Sequence, residues 1–394
     1  MKKSHQYYIF FMCFVGMMLA ALSASFRGFF VPTFKAEFGI DNTNMGMIIS
    51  VAQASSMAFA FLAGKYCLRF GPKRIIATGY ILIAASIGVV VSAKSWLILL
   101  AGYCGMASGT AMLVIGLNSM LPMVTILAPA IIMNFGHGIF GFGSTVYQKF
   151  LGWYLTMGYD WRTLFTSAIF IFLISACLVW FSPGEPSDDH KNHRSKLIHK
   201  KLSFALLTAL MFYVTAEFLV GTWIVNFFQE GYGYTPSKAS YYSTLFYGVF
   251  TVGRLFGGLV FHRISRFNGI LACASLAAVS ILTGQIFGGV FLYAIGLSGI
   301  FFSIIYPTTI TIVNDTYGRD SSYFIGISAI ATSTGIFMTN LIFGYLNDLI
   351  GVQATFNLIP VCLFISFSAF YLARREHEHI LSLDVPDLPA TKIL

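Results

Sequence analysis

The stretch FALLTALMFYVTAEFLVGTWIVNFF, residues 204–228, decides the fold class. It runs for 25 residues with Glu217 as its one charged side chain. At about 1.5 Å per residue, a helix of that length exceeds the roughly 30 Å of hydrocarbon in a bilayer. Residues 7–26 and 45–63 form comparable runs. A segment in lipid must satisfy its own backbone N–H and C=O groups, so each run is read as a helix.

The whole chain shares the character of 204–228. Of its 394 residues 57% are hydrophobic and only 10% charged, against about 25% charged in soluble domains, which excludes a soluble globular class. Apolar runs predict twelve spans, at 7–31, 45–66, 75–92, 96–118, 131–157, 163–181, 204–228, 239–261, 269–286, 289–313, 323–349 and 354–372. The expected fold is an all-α membrane protein of twelve transmembrane helices in two pseudo-symmetric six-helix halves, 1–182 and 204–372. A hydrophilic linker, 183–203, separates the halves, and a tail follows at 373–394.

Seventeen Lys and Arg fall on the side of the N-terminus, and four, Lys35, Lys94, Arg162 and Lys238, on the other. The positive-inside rule then makes both termini cytoplasmic in a multi-pass plasma-membrane protein. The net charge of +9 is topological and calls for no nucleic-acid partner. The first run follows Lys2 and Lys3 like a signal peptide, but its length and its bulky exit at Arg27-Gly28-Phe29-Phe30 favour a retained helix. Six cysteines, Cys13, Cys67, Cys104, Cys177, Cys273 and Cys362, form no C-x-x-C pair and are expected as buried packers. His190, His193 and His199 stand in the charged linker, where a solvated run is a better reading than a metal site.

Glycines repeat between the halves. Gly64, Gly102, Gly105 and Gly141 recur 194 residues later as Gly258, Gly296, Gly299 and Gly335, and Arg69 recurs as Arg263. Such duplication implies a site at the midplane between the halves.

Residues 64–74, GKYCLRFGPKR, then resemble the signature of the major facilitator superfamily between its second and third helices. Gly64, Arg69 and Gly71 match, with Gly258 and Arg263 in the second half, whereas Leu68 and His262 stand where an Asp is usual. The resemblance implies gating or structural roles for these residues and for Arg254: glycines for close helix approach, and arginines for carbonyls or headgroups at helix ends. Within the superfamily, residues 134–143, NFGHGIFGFG, are similar to a run of the fucose–galactose–glucose:proton symporters. Asn118, Glu217 and the Gly253-Arg254 pair extend the likeness, which implies a proton-coupled sugar transporter with His137 at a sugar-contacting position. That family's acids on helices one and four have no counterpart, since Gly28 and Val114 occupy those places.

Glu217 is therefore the expected coupling group. A charge at mid-span costs about 2.5–3.5 kcal/mol on insertion scales, so an acid kept there points to a task that needs it. A structural hydrogen-bond anchor is the competing reading.

Asn134, His137, Gly141, Ser144 and Gln148 recur at spacings of 3, 4, 3 and 4, a polar stripe suited to sugar hydroxyls or to helix packing. Tyr213 shares a helix face with Glu217 and Gly221. Arg27 and Lys149 are cations within spans and together suit a carboxylate or sulfonate. No H-E-x-x-H, G-x-S-x-G or Walker-type loop is present, so neither an enzyme nor a cofactor is expected. The reading is proton-coupled uptake of a sugar or similar small polar solute by alternating access, in a monomer surrounded by lipid. The alternatives are an organic anion or sugar acid transporter using Arg27 and Lys149, or a drug exporter.

Overall fold

The computed structural model describes residues 3–121, 129–181, 199–261 and 265–384. All regular structure among them is helical: α1 Lys3–Phe29, α2 Val31–Phe38, α3 Asn42–Phe70, α4 Pro72–Val91, α5 Trp96–Met120, α6 Pro129–Thr156, α7 Trp161–Trp180, α8 Lys200–Tyr232, α9 Pro236–Phe261, α10 Arg266–Phe287, α11 Tyr293–Leu297, α12 Gly299–Tyr317, α13 Ser321–Ile350, α14 Val352–Thr355 and α15 Leu358–Asp384. Ten spans among the described residues are long and apolar enough to cross a membrane. The 28-residue α6 and 26-residue α9 complete twelve.

Sequence signals explain the boundaries. Asp41 caps α3 by accepting from Asn44 N at 2.7 Å, and Asp160 caps α7 from Arg162 N at 3.2 Å. Proline opens α4 at Pro72, where its missing N–H costs nothing. Gly71, which joins α3 to α4, adopts φ 82° and ψ 154°, a region essentially reserved for glycine.

Three expectations change. The first span ends at Phe29 and a separate α2 follows, because Pro32 restarts the chain as the first turn of a new helix. The tenth span is segmented, with a short 3₁₀ turn at Gly289–Leu292 before α11 and α12. The twelfth runs on to Asp384, well past the expected end at 372, because the charged 374–379 segment continues the helix. Residues 182–198, which include most of the expected linker 183–203, lie outside the described residues, and α8 begins at Lys200.

In the first half α4 packs on α5 and α7, α3 on α5, and α1 on α5 and α6; in the second, α8 and α10 pack on α15, and α12 on α9 and α10. The halves meet along α6 with α9, α3 with α13, and α1 with α8. Small residues permit the approach. Gly141 faces Thr251, Gly152 faces Ser240, and Gly138 faces Leu255 across the α6–α9 seam. Gly102 and Gly105 lie against Val90 and Ser86 of α4, whereas Gly296 and Gly299 lie against Leu245 and Phe246 of α9. The 194-residue repeat thus matches helices but not neighbours. Gly143 against Met18 and Ala21 of α1 is the better counterpart of Gly335 against Met211 and Thr215 of α8. Apolar side chains such as Phe11, Phe61, Phe170, Phe181 and Phe364 are exposed, as lipid-facing residues are. Only Cys13, Cys273 and Cys362 of the cysteines are buried, and Cys177 is exposed, which corrects their reading as uniformly buried packers.

Candidate functional site

A cavity of about 220 Å³ lies between the halves, lined from α1, α3, α5, α6, α8 and α9. Its polar lining includes Arg27, Gln53, Tyr103, Ser144, Gln148 and Glu217; Phe140, Phe246 and Phe250 supply apolar wall. That volume falls short of the roughly 300–1,000 Å³ usual for drug-sized ligands. It suits one small solute.

Glu217 on α8 lines the cavity and is engaged from two sides. The Tyr213 hydroxyl, one turn back on the same helix, hydrogen-bonds to Glu217 Oε2 and also reaches the Phe302 carbonyl on α12 at 2.7 Å. Arg254 Nη2 on α9 lies 3.9 Å from Glu217 Oε1, and its guanidinium stands over the Phe250 ring at 4.4 Å. The hydroxyls of Tyr247 and Tyr306 lie within electrostatic reach of the carboxyl. One acid thus ties three helices of the second half together.

Arg27, near the end of α1, contrasts with it. Its Nε makes a long 3.5 Å bond to the Ser23 carbonyl, and Tyr103 donates to the Arg27 carbonyl at 3.0 Å. None of the five ion pairs among the described residues involves Arg27. Gln148 is buried, accepts from Ser243 Oγ at 3.0 Å, and turns its remaining amide to the cavity it lines. Gln53 touches Ser333 Oγ at 3.5 Å.

The expected site residues therefore separate. Arg27, Gln148 and Glu217 line the cavity, with Tyr213 buried behind Glu217. His137 is half-buried in the electrostatic range of Arg254 but does not line the cavity. Lys149 does not join Arg27: it is exposed, with its ammonium 5.6 Å from the Tyr241 ring centroid. Neighbouring helical positions point about 100° apart, and here Gln148 faces the cavity while Lys149 faces away from it. Asn118, near the end of α5, has its Oδ1 buried without a hydrogen-bond partner, away from the lining. The side chain of Asn134, the surroundings of Gly258, and Arg263 lie outside the described residues.

Among the signature residues, Gly71 makes the α3–α4 turn and the exposed Arg69 stands over Phe70 at 5.1 Å. Gly64 departs from its expected close approach, since a Cβ there would meet nothing within 4 Å. The reason is the arrangement of the halves. Among the described residues their polar contacts concentrate on the face opposite the chain ends, and none lies against the α3 position of Gly64.

That opposite face carries a polar clamp. Asp348 on α13 accepts from Asn42 N and Nδ2 at 3.0 and 2.9 Å, and from Thr43 N and Oγ1 at 2.6 and 2.7 Å. Lys35 on α2 pairs with Glu230 on α8 and donates to Asn42 Oδ1 at 2.6 Å. Asn226 donates to Glu230 and to Asn42 at 3.2 and 3.3 Å. Beneath the clamp, Ser50 donates to the Phe337 carbonyl at 2.8 Å, and a Cβ on Gly46 would meet the Asn340 carbonyl oxygen at 2.5 Å.

The sequence profile of the Major Facilitator Superfamily matches residues 13–287 and 206–394. A glucose/galactose transporter of Brucella abortus is 24% identical over 371 residues, covering 86% of this chain and 87% of that protein. The L-fucose-proton symporter of Escherichia coli is 24% identical over 392 residues, with 88% of each chain covered. A bacterial homologue of the human lysosomal transporter Spinster, solved in an inward-facing conformation, superposes with a TM-score of 0.80 at 13% identity, covering 96% of this chain and 99% of its own. The transporter FucP in its outward conformation gives 0.63 at 20% identity, covering 93% and 98%. With its helices, intervening cavity and matched profile, the chain belongs to the Major Facilitator Superfamily, as a non-enzymatic multi-pass membrane transporter related to the fucose and glucose–galactose transporters.

Proposed function

We propose that this transporter moves a sugar or a similarly small polar solute together with a proton, by alternating access of its two halves about the cavity. The observation that carries the reading is the cavity itself, where one half-buried acid, Glu217, lies among amides, hydroxyls and aromatic rings. Neutral donors and acceptors suit hydroxyls, and rings such as Phe140 and Phe246 suit the C–H face of a pyranose. The names of the relatives, a glucose/galactose transporter and an L-fucose-proton symporter, support the same class.

In this reading residues 1–182 and 204–372 rock as two bodies in the plasma membrane, with both termini cytoplasmic and the chain acting as a monomer. Solute enters when the clamp around Asp348 opens, and leaves toward the face of the chain ends. Protonated Glu217 lets the loaded carrier turn, and proton release on the cytoplasmic side weakens binding.

Glu217→Gln tests this. In proteoliposomes the variant is expected to exchange solute across the membrane but to lose accumulation driven by a pH gradient. Accumulation at the wild-type level would remove Glu217 from coupling.

A further inference from the structure

We infer that the cavity is built for a solute bearing one anionic group, a hexuronate-class sugar acid, with the carboxylate held by Arg27. The inference rests on the transport reading above and narrows its substrate.

The first argument is charge. Arg254, which does not line the cavity, has Glu217 as its counter-charge at 3.9 Å. Arg27 lines the cavity, and no carboxylate lies within ion-pair distance of it among the described residues. A neutral hexose would leave that guanidinium uncompensated when the cavity closes away from water, whereas a carboxylate would neutralise it.

The second is the hydrogen-bond inventory. A guanidinium carries five N–H donors, and Arg27 gives only its Nε, weakly, to Ser23. Gln148 has its oxygen occupied by Ser243, so it presents donors to the cavity. Ser144 gives its hydrogen to the Phe140 carbonyl, Tyr103 gives its own to the Arg27 carbonyl and Gln53 turns its Nε2 to Ser333, so these three keep acceptor oxygens, while Glu217 is engaged by Tyr213 and Arg254. The lining therefore combines the spare donors of Arg27 and Gln148 with acceptors that suit the hydroxyls of a sugar. An ionised carboxylate is acceptor-only and takes bidentate guanidinium, which completes such a site. Lys149, over Tyr241, is not needed.

The third is coupling. A bound anion disfavours the ionised form of Glu217, whose other facing groups are Tyr213 on its own helix, Arg254 and Tyr247 on α9 and Tyr306 on α12, with His137 of α6 beside Arg254. Solute and proton then bind cooperatively, and the two charges sum to zero.

The experiment compares glucuronate and galacturonate with glucose and galactose, by calorimetry on the purified full chain. Uronates are expected to bind at least tenfold tighter than the neutral hexoses, and Arg27→Gln to abolish that preference. Equal or tighter binding of a neutral hexose overturns the inference while leaving sugar transport standing. Binding of lipophilic cations alone overturns both. Charge movement in wild-type proteoliposomes is independent of how the variant folds: uronate with a proton gives no transient current, and a current of one positive charge per solute overturns the inference.

Discussion

Removing Asp348 should open the clamped face. The first N–H groups of a helix have no partner inside it, and in α3 those of Asn42 and Thr43 both go to Asp348, on a helix of the other half. The helix is thus capped across the interface. Substituting a capping side chain costs about 0.5–2 kcal/mol, and losing a carboxylate at a helix N-terminus about 0.3–1 kcal/mol. Asp348 is exposed, so water compensates in part, and about 2 kcal/mol is a fair total for Asp348→Ala. The contacts exist only while that face is closed, so the whole loss falls on the closed state and shifts the equilibrium about thirtyfold toward opening. The assay is a spin-label distance between Lys94→Cys in the first half and Val290→Cys in the second, both exposed on that face, with exposed Cys177 replaced. A longer distance should gain population in Asp348→Ala and, to a lesser degree, in Asp348→Asn. An unchanged distribution would refute cross-interface capping as a determinant of the closed state.

Three further outcomes are expected. Gly46→Ala places a methyl group against the Asn340 carbonyl and Gly344 of α13, and overpacking of about 1–3 kcal/mol should lengthen the same spin-label distance. Gly71→Ala forces a side chain into a glycine-only backbone conformation at a cost of about 1–3 kcal/mol, so the melting temperature should fall without a change in solute preference. Lys149→Ala, which removes a cation remote from the cavity, should leave solute affinity unchanged by calorimetry; a tenfold loss would bring Lys149 back into the site.

The spans were legible because the length of an apolar run and the thickness of a bilayer are the same kind of quantity, and Glu217 stood out as the one charge in 204–228. Its partner was less legible. Arg254 read as structural, because nothing local shows that two helices bring it within 3.9 Å of Glu217. By spacing the polar stripe of α6 forms one face, yet a 28-residue helix crosses two environments: Gly141 packs on Thr251 of α9, while Ser144 and Gln148 reach the cavity. α2 left a signal that hydropathy passed over, Pro32 at its start and Gly39 with φ 60° at its end. The clamp left none. Lys35, Asn42, Glu230 and Asp348 look like ordinary helix-end residues, and Asn42 and Asp348 stand 306 positions apart.

The Tyr213 hydroxyl owns a single hydrogen, yet two oxygens compete for it, Glu217 Oε2 and the Phe302 carbonyl. When the carboxyl is ionised the hydrogen goes to it, and Phe302 loses its donor. When the carboxyl carries its own hydrogen it can give that to Tyr213, which then turns its hydrogen to Phe302. If Glu217 titrates as proposed, the Tyr213 hydrogen would pass between the carboxyl and the Phe302 carbonyl, so one proton on the acid would be felt at the backbone of a neighbouring helix as well as in the side chain that binds it.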